Sequence, residues 1–497
     1  MRLVEKVGWD KQRLYQLVQD KLGDRLFLVV SNREPYIHSR SDSGVVWSRP
    51  VSGLTEALDP VMRASGGTWV AQGTGDADRE VVDADNRVAV PPDSPQYTLR
   101  RVWLSKEQVD GFYLGFSNEA LWPLCHVTFN PPIYRESDWE AYRQVNRIFA
   151  DAVLQEIAGR PALVLVQDYH FALLSGMIKE RNPGLTVGQF WHIPWPMHEV
   201  FRTCPWQEEI LEGMLGNDLL GFHVRSFADN FMDTVRHGLG ARTDAEHRTI
   251  NHRGKPTLVE PFPISVDFDS LSEQAGTEQV TEEMAKLSSE FDLAGKHIGV
   301  GMDRMDYTKG IPQRLQALDM FLDKYPDYRG KVVFIQAGMP SRTQIDSYRD
   351  IGQRIDDLIS GINAKYATDS WQPIVALTRQ LSPVALNALR RLAAFCVVSS
   401  LHDGMNLVAK EYVAARVDGD GVLVLSKFTG AAAEMPEALL INPFAIGDFA
   451  DKIREAIEMP ESERRRRMKA MRETVAAYNI YRWGAAMVSR LISVAGV

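Results

Sequence analysis

Phe395-Cys-Val-Val-Ser-Ser-Leu-His-Asp-Gly-Met-Asn-Leu-Val-Ala-Lys-Glu411 is the stretch that decides the fold class of this chain. Phe395 to Ser400 is apolar and β-branched, as a parallel strand buried on both faces must be. Asp403-Gly404 reads as the turn that follows, and the residues after it as the start of a helix. In such a unit the first helical N–H groups point beyond the carboxyl end of the strand and favour a negative charge there. Two carboxylates, Asp403 and Glu411, flank that helix start. Two readings are open. In one, both acids face a ligand, with Glu411 in reach of a hydroxyl pair. In the other, Asp403 caps the helix and Glu411 is a solvated or salt-bridged surface acid.

The same pattern repeats on both sides of this unit. Apolar runs at Arg25–Val30, Ala162–Val166, Leu185–Trp191, Ile298–Gly301, Val332–Ile335 and Val422–Leu425 alternate with amphipathic stretches. The amphipathic stretches are Trp139–Ile157, Arg314–Phe321, Ile345–Ile362 and Asp448–Met459. This is the α/β signature of helices lying on parallel sheets. Pro261-Phe-Pro263 interrupts the pattern, and a polar, acidic helix begins near Gln279, so the main boundary is expected there. The economical architecture is two Rossmann-like, doubly wound domains facing a central cleft, because ligands bind at the carboxyl ends of parallel strands. The expected divisions are a helical leader over residues 1–23, a first domain over 24–263 and a second over 264–479. The leader carries Leu14, Leu17 and Leu22, and its composition suits packing on the first domain or on a neighbouring subunit.

Composition narrows the function. The 497 residues are 45% hydrophobic with a net charge of −9 and no long like-charge block, which argues against an extended nucleic-acid surface. The one dense basic run, Arg464–Arg467, lies in a charge-mixed segment that reads as a solvated helix face. Cys125, Cys204 and Cys396 have neither disulfide-framework nor metal-ligand spacing. No apolar leader or span of eighteen apolar residues occurs, so the reading is a cytoplasmic protein without membrane contact. Neither G-x-x-x-x-G-K-S/T nor a strand-linked G-x-G-x-x-G is present, which sets aside P-loop and classical dinucleotide sites.

Other candidate residues also follow strand runs. Asp303-Arg304-Met-Asp306-Tyr-Thr-Lys309-Gly310 places two cations at a strand end, where they would neutralise a departing diphosphate without a metal. Asp306 would orient Arg304, and surface salt bridges among Asp303, Arg304, Asp306 and Lys309 are the alternative. His192 ends the run before Ile-Pro-Trp195, and Asp168-Tyr-His170 ends another, with a structural role as the plainer reading of His192 and helix capping as that of Asp168. Arg33 and Arg342 close two further runs, one in each expected domain; together they would hold a phosphate bidentately, and singly each reads as an ordinary surface or salt-bridging arginine.

These motifs together resemble the trehalose-6-phosphate synthases, retaining glucosyltransferases of GT-B type. The resemblance rests on Val30-Ser-Asn-Arg33, Tyr113 to Trp122, Gln167-Asp-Tyr-His170, His192-Ile-Pro, Asp303 to Gly310, Asp403 to Tyr412 and Val422 to Ala431. It implies that the helix from residue 480 to 497 joins the first domain, that the first domain binds the acceptor, and that the second binds the nucleotide sugar. It implies donor-diphosphate roles for Arg304 and Lys309, ribose binding by Glu411, and phosphate and sugar contacts from the Leu407, Val408 and Ala409 amides. Asp403 and His192 would hold donor-glucose hydroxyls, and Gly53 would let its loop approach the donor closely. Arg33, Tyr113, Trp122, Asp168 and Arg342 would form the acceptor site. The implied reaction moves glucose from UDP-glucose to glucose 6-phosphate by front-face displacement, with no cofactor or metal and with domain closure excluding water. A homo-oligomer, dimer or tetramer, is compatible with this reading. The sister reaction, glucosylglycerol-phosphate synthesis from glycerol 3-phosphate, and a non-catalytic sugar-phosphate sensor are the competing readings. Four features depart from the family pattern and border the substrate positions: Ser52-Gly53 in place of a glycine pair, a longer polar loop from Glu34 to Arg49, Trp191 and Trp195 around His192, and His402 before Asp403.

Overall fold

The computed structural model describes residues 8–42, 44–50 and 53–496, without the side chains of 53, 54, 56 and 57. Ser52 and the first seven residues of the expected leader lie outside the described residues. Two compact units emerge, one running up to Ile264 and resuming at Ile480, the other spanning Ser265–Asn479. The break falls one residue beyond the expected Pro263/Ile264.

The first unit is built on β1 (Leu26–Ser31), β2 (Thr68–Gln72), β3 (Tyr97–Val102), β4 (Ala162–Gln167), β5 (Thr186–Phe190), β6 (Leu219–Phe222) and β7 (Lys255–Pro261). Their order is β7-β6-β5-β4-β1-β2-β3, and every neighbouring pair is parallel. Antiparallel strands extend both edges: Thr249–His252 and Arg242–Asp244 beyond β7, and Arg87–Val90 beside β3. The order reverses between β1 and β4, so loops leaving these neighbours diverge and open a crevice at their carboxyl ends.

Of the two packings open to the leader, its described part takes the one on the first domain and is counted within this unit. Helix Lys11–Leu22, capped by the Asp10 carboxylate on the Arg13 N–H, buries Leu14, Val18 and Leu22. It packs against helix Gly53–Ser65 and the final helix Ile480–Val494. The buried stripe runs i, i+4, i+8 through Val18, and Leu17 lies half-buried at its edge. The final helix is also tied to β7 by Arg490, 2.8 Å from Glu260. The Glu34–Arg49 stretch contains a hairpin, Ile37–Ser41 paired with Gly44–Ser48.

The second unit is a six-stranded parallel sheet: β8 (His297–Met302), β9 (Val332–Ala337), β10 (Ile374–Leu377), β11 (Phe395–Val398), β12 (Val422–Ser426) and β13 (Leu439–Ile441). The order β10-β9-β8-β11-β12-β13 is doubly wound, with its switch point between β8 and β11. Val300 and the whole of Phe395–Val398 are inaccessible to solvent, which is why these strands read as unbroken apolar runs. The basic run falls on helix Glu461–Ala477, where Arg465, Arg466 and Arg467 pair with Glu461 and Glu463, and Arg464 with Asp420.

Candidate active site

At the switch point of the second unit, the loop leaving β8 lies on the end of β11. Gly310 makes this approach: at φ +62°, a Cβ there would sit 2.1 Å from the Ser399 carbonyl oxygen. Ser399 Oγ lies 3.0 Å from both the Lys309 and Gly310 carbonyls, which share its single hydroxyl proton. Lys309 Nζ consequently reaches Asp403 Oδ2 at 2.6 Å. The same oxygen accepts from Ser400 Oγ at 3.1 Å and Asn406 Nδ2 at 3.2 Å.

Asp403 is therefore not the helix cap. Asn406, at φ +76°, takes that role through Oδ1, which accepts from the Ala409 N–H at 3.2 Å, and the helix runs from Leu407 to Ala415. The Ala409 amide is engaged by this cap. The Leu407 and Val408 N–H groups make no hydrogen bond among the described residues and form the positive end of the helix. Glu411 is salt-bridged, accepting through Oε2 from Arg390 Nη2, whose Nη1 donates to Asn387 Oδ1 at 2.8 Å.

Arg304 is 42% exposed and shares a wholly buried carboxylate, Asp306, with Arg342: each guanidinium lies 3.7 Å from Asp306 Oδ2. Asp306 Oδ1 accepts from the Thr308 N–H at 3.0 Å and from its hydroxyl at 2.9 Å. Burial pushes the Asp306 pKa up, but Arg304, Arg342 and Lys309 outweigh it and hold the carboxyl below its ordinary range. Arg342 also donates to the Tyr348 hydroxyl. Asp303 does not join a surface salt-bridge cluster with Arg304. It is buried against Arg314, which also donates to Gln336 at 2.9 Å and Ser399 at 3.0 Å and ties three strand ends together.

In the first unit, Arg33, Asp168 and His192 follow the adjacent strands β1, β4 and β5. Asp168, at φ +72°, accepts through Oδ1 from the Tyr169 N–H at 2.9 Å and the His192 N–H at 3.1 Å. Capping and site geometry thus coexist in one carboxylate. His192 Nε2 lies 2.9 Å from Gln167 Oε1, and its ring meets Phe190 and His223 edge-on. Burial, and then the nearby His223 and His170, hold its pKa well below the ordinary histidine value, so the ring is neutral at physiological pH.

Tyr113 sits on a π-helix, Asp110–Leu121, that continues into Trp122–His126. The helix packs closely because Gly111 lacks a Cβ, which would lie 2.6 Å from Ala141 Cβ. Tyr113 stacks on His170 at 5.8 Å and accepts from Arg33 Nη2 at 3.5 Å. Trp122 is buried against Tyr169 at 5.8 Å. Gly53 opens helix Gly53–Ser65.

The structure thus joins Lys309 to Asp403, Arg304 to Arg342 through Asp306, Arg33 to Tyr113, and Asp168 to His192. Three supporting residues were not among the sequence candidates. Asn406, three residues before Ala409 at the head of an apolar run, carries a readable N-cap signal. Gln167 and Arg390 meet His192 and Glu411 across 25 and 21 residues, with no local signature. Among the described residues no group of three or more His, Cys, Asp or Glu side chains could hold a metal ion, and no helix is long and apolar enough to cross a membrane.

Two doubly wound units with polar residues concentrated at their switch points are the architecture of the GT-B class of glycosyltransferases, to which solved relatives of this fold belong. Residues 25–493 match the family model for glycosyltransferase family 20, and the chain belongs to that family. It is 37% identical over 477 residues to the trehalose-6-phosphate synthase of Mycobacterium avium, covering 94% of this chain and 96% of that one. It is also similar to the E. coli trehalose-6-phosphate structure bound with UDP-2-fluoro glucose, with a TM-score of 0.84, 29% identity and coverage of 94% and 98% of the two chains. A third relative is a UDP-forming alpha,alpha-trehalose-phosphate synthase from Burkholderia xenovorans in complex with glucose-6-phosphate, with a TM-score of 0.83, 29% identity and coverage of 94% and 99%.

Proposed function

We propose that this family 20 glycosyltransferase moves glucose from UDP-glucose to glucose 6-phosphate, forming trehalose 6-phosphate with retention at the donor carbon. The observation that carries the reading is the switch point between β8 and β11. There Arg304 and Lys309 follow one strand, while the Leu407 and Val408 amides open the helix after the other. Cations and helix-terminal amides suit a diphosphate. The reading is supported by similarity to structures holding UDP-2-fluoro glucose and glucose-6-phosphate.

In this reading Arg304 and Lys309 stabilise the charge of the departing diphosphate, Glu411 holds the ribose, and Asp403 and His192 orient glucose hydroxyls. Gly53 admits the donor, and Arg33, Tyr113, Trp122, Asp168 and Arg342 hold the acceptor. The acceptor oxygen bonds to the donor carbon on the face from which the phosphate oxygen leaves, and that oxygen receives the hydroxyl proton. The protein contributes position and charge rather than a nucleophile. Charge neutralisation is assigned to Arg304 and Lys309 rather than to a metal.

The test is incubation of the enzyme and UDP-glucose with glucose 6-phosphate or glycerol 3-phosphate, following UDP release and product anomers by NMR. An α,α-linked product with glucose 6-phosphate is expected. Turnover with glycerol 3-phosphate alone would replace the acceptor, and no UDP release with either would favour a sensor.

A further inference from the structure

Gln167 ends β4, whose other residues are Ala-Leu-Val-Leu-Val, and its side chain is wholly buried. Oε1 lies 2.9 Å from His192 Nε2, while Nε2 of the same amide makes no hydrogen bond among the described residues. Burying an amide with one end unsatisfied is costly, and an apolar residue at this strand end would avoid that cost. The amide has one side-chain partner among the described residues, the imidazole.

That partnership has a chemical consequence. A neutral imidazole carries one N–H, and the hydrogen bond made by one nitrogen decides the character of the other. Burial and two neighbouring histidines keep His192 neutral. Its backbone is held at both ends, the N–H on Asp168 Oδ1 at 3.1 Å and the carbonyl 2.9 Å from His223 Nε2. Nδ1 makes no hydrogen bond within the described protein and is not among its sealed polar atoms, so it is the nitrogen open to a ligand.

We propose that Gln167 is a positioning residue for the transfer reaction: its carbonyl oxygen fixes His192 as the Nε2–H tautomer and leaves Nδ1 as an acceptor for a sugar hydroxyl. The sugar part of this inference rests on the assignment of His192 to the donor glucose. Gln167 thereby selects a ligand that donates a hydrogen bond at this point over one that only accepts.

The experiment is ¹⁵N NMR of histidine-labelled full-length protein at neutral pH, with the His192 signals assigned by their loss in His192→Asn. It is paired with KM values for UDP-glucose and glucose 6-phosphate. The Nε2–H tautomer is expected in the wild type, and a mixture in Gln167→Met. That variant should raise the KM for UDP-glucose about tenfold, the worth of one hydrogen bond, with the KM for glucose 6-phosphate unchanged. Gln167→Glu keeps an acceptor oxygen and should retain the Nε2–H form, which guards against a folding defect in Gln167→Met. An Nδ1–H tautomer in the wild type, or an unchanged tautomer in Gln167→Met, overturns the inference and leaves the donor assignment standing. A tautomer lost in Gln167→Met without any change in the donor KM overturns the assignment of His192 to the donor, and with it the sugar part.

Discussion

Lys309 and Asp403, 94 residues apart in sequence, form a 2.6 Å ion pair on the loops that leave the two strands of a topological switch point. The side chains are each only 12% exposed, so neither charge is cheaply left alone. Lys309→Ala removes a cation and leaves an uncompensated anion where the reading places a departing diphosphate. A fall in kcat of about 10²-fold or more is expected, as for other losses of transition-state charge stabilisation. Because the two residues act as a unit, Lys309→Ala combined with Asp403→Ala should cost little more than the worse single change. Steady-state kinetics of the four proteins test this, and multiplying losses would show that the residues act separately.

Arg304 is more exposed than Lys309 and is anchored by Asp306 and by Ser341 Oγ at 3.3 Å. Arg304→Ala is expected to lower kcat by about 10²-fold. A near-normal rate would place the diphosphate elsewhere.

Arg342 shares the Asp306 carboxylate with Arg304, yet it is assigned to the acceptor phosphate. Arg342→Ala should raise the KM for glucose 6-phosphate by about tenfold or more, the worth of a charged hydrogen bond, with the KM for UDP-glucose little changed. The reverse pattern would move Arg342 to the donor.

Glu34, next to Arg33, sits in a buried cluster where Oε2 accepts from Arg101 Nε at 2.8 Å and Oε1 from the Thr74 N–H at 2.7 Å. Burial, reinforced by the hydrogen bond with Asp78 and opposed by Arg101, pushes its pKa up from 4.5 to about 7. A carboxyl raised in the folded state favours folding most below its unfolded pKa, and that contribution is lost as pH rises through the folded one. Wild-type stability should therefore carry a component that declines from pH 4.5 to about 7, and Glu34→Gln should lack it. Thermal melts across that window test the point; an unchanged profile in the variant would show that Glu34 titrates near its ordinary value.

Legibility in the sequence followed the range of the interactions. Buried parallel strands announce themselves as unbroken apolar runs, so the runs of β1, β4, β5, β8, β9, β11 and β12 match their strands within a residue or two. β2, Thr68-Trp-Val-Ala-Gln72, is not an unbroken apolar run, because its polar ends resemble a loop until both neighbours cover it. The π-helix bearing Tyr113 has no periodicity that a 3.6-residue reading detects. The short edge strands, antiparallel at their ends of the first sheet, are defined by their partners rather than by their own residues.

By itself the sequence determined the α/β class, the chemical types at the strand ends and their order along the chain, because these depend on neighbours a few positions apart. It left Asp403 suspended between helix cap and ligand group. Only the tertiary structure decided that Asp403 pairs with Lys309, that Glu411 leans on Arg390, and that Gln167 meets His192. The Lys309–Asp403 and Gln167–His192 contacts exist because parallel strands distant in sequence end side by side, and no local pattern encodes which distant residue will stand at the neighbouring strand end.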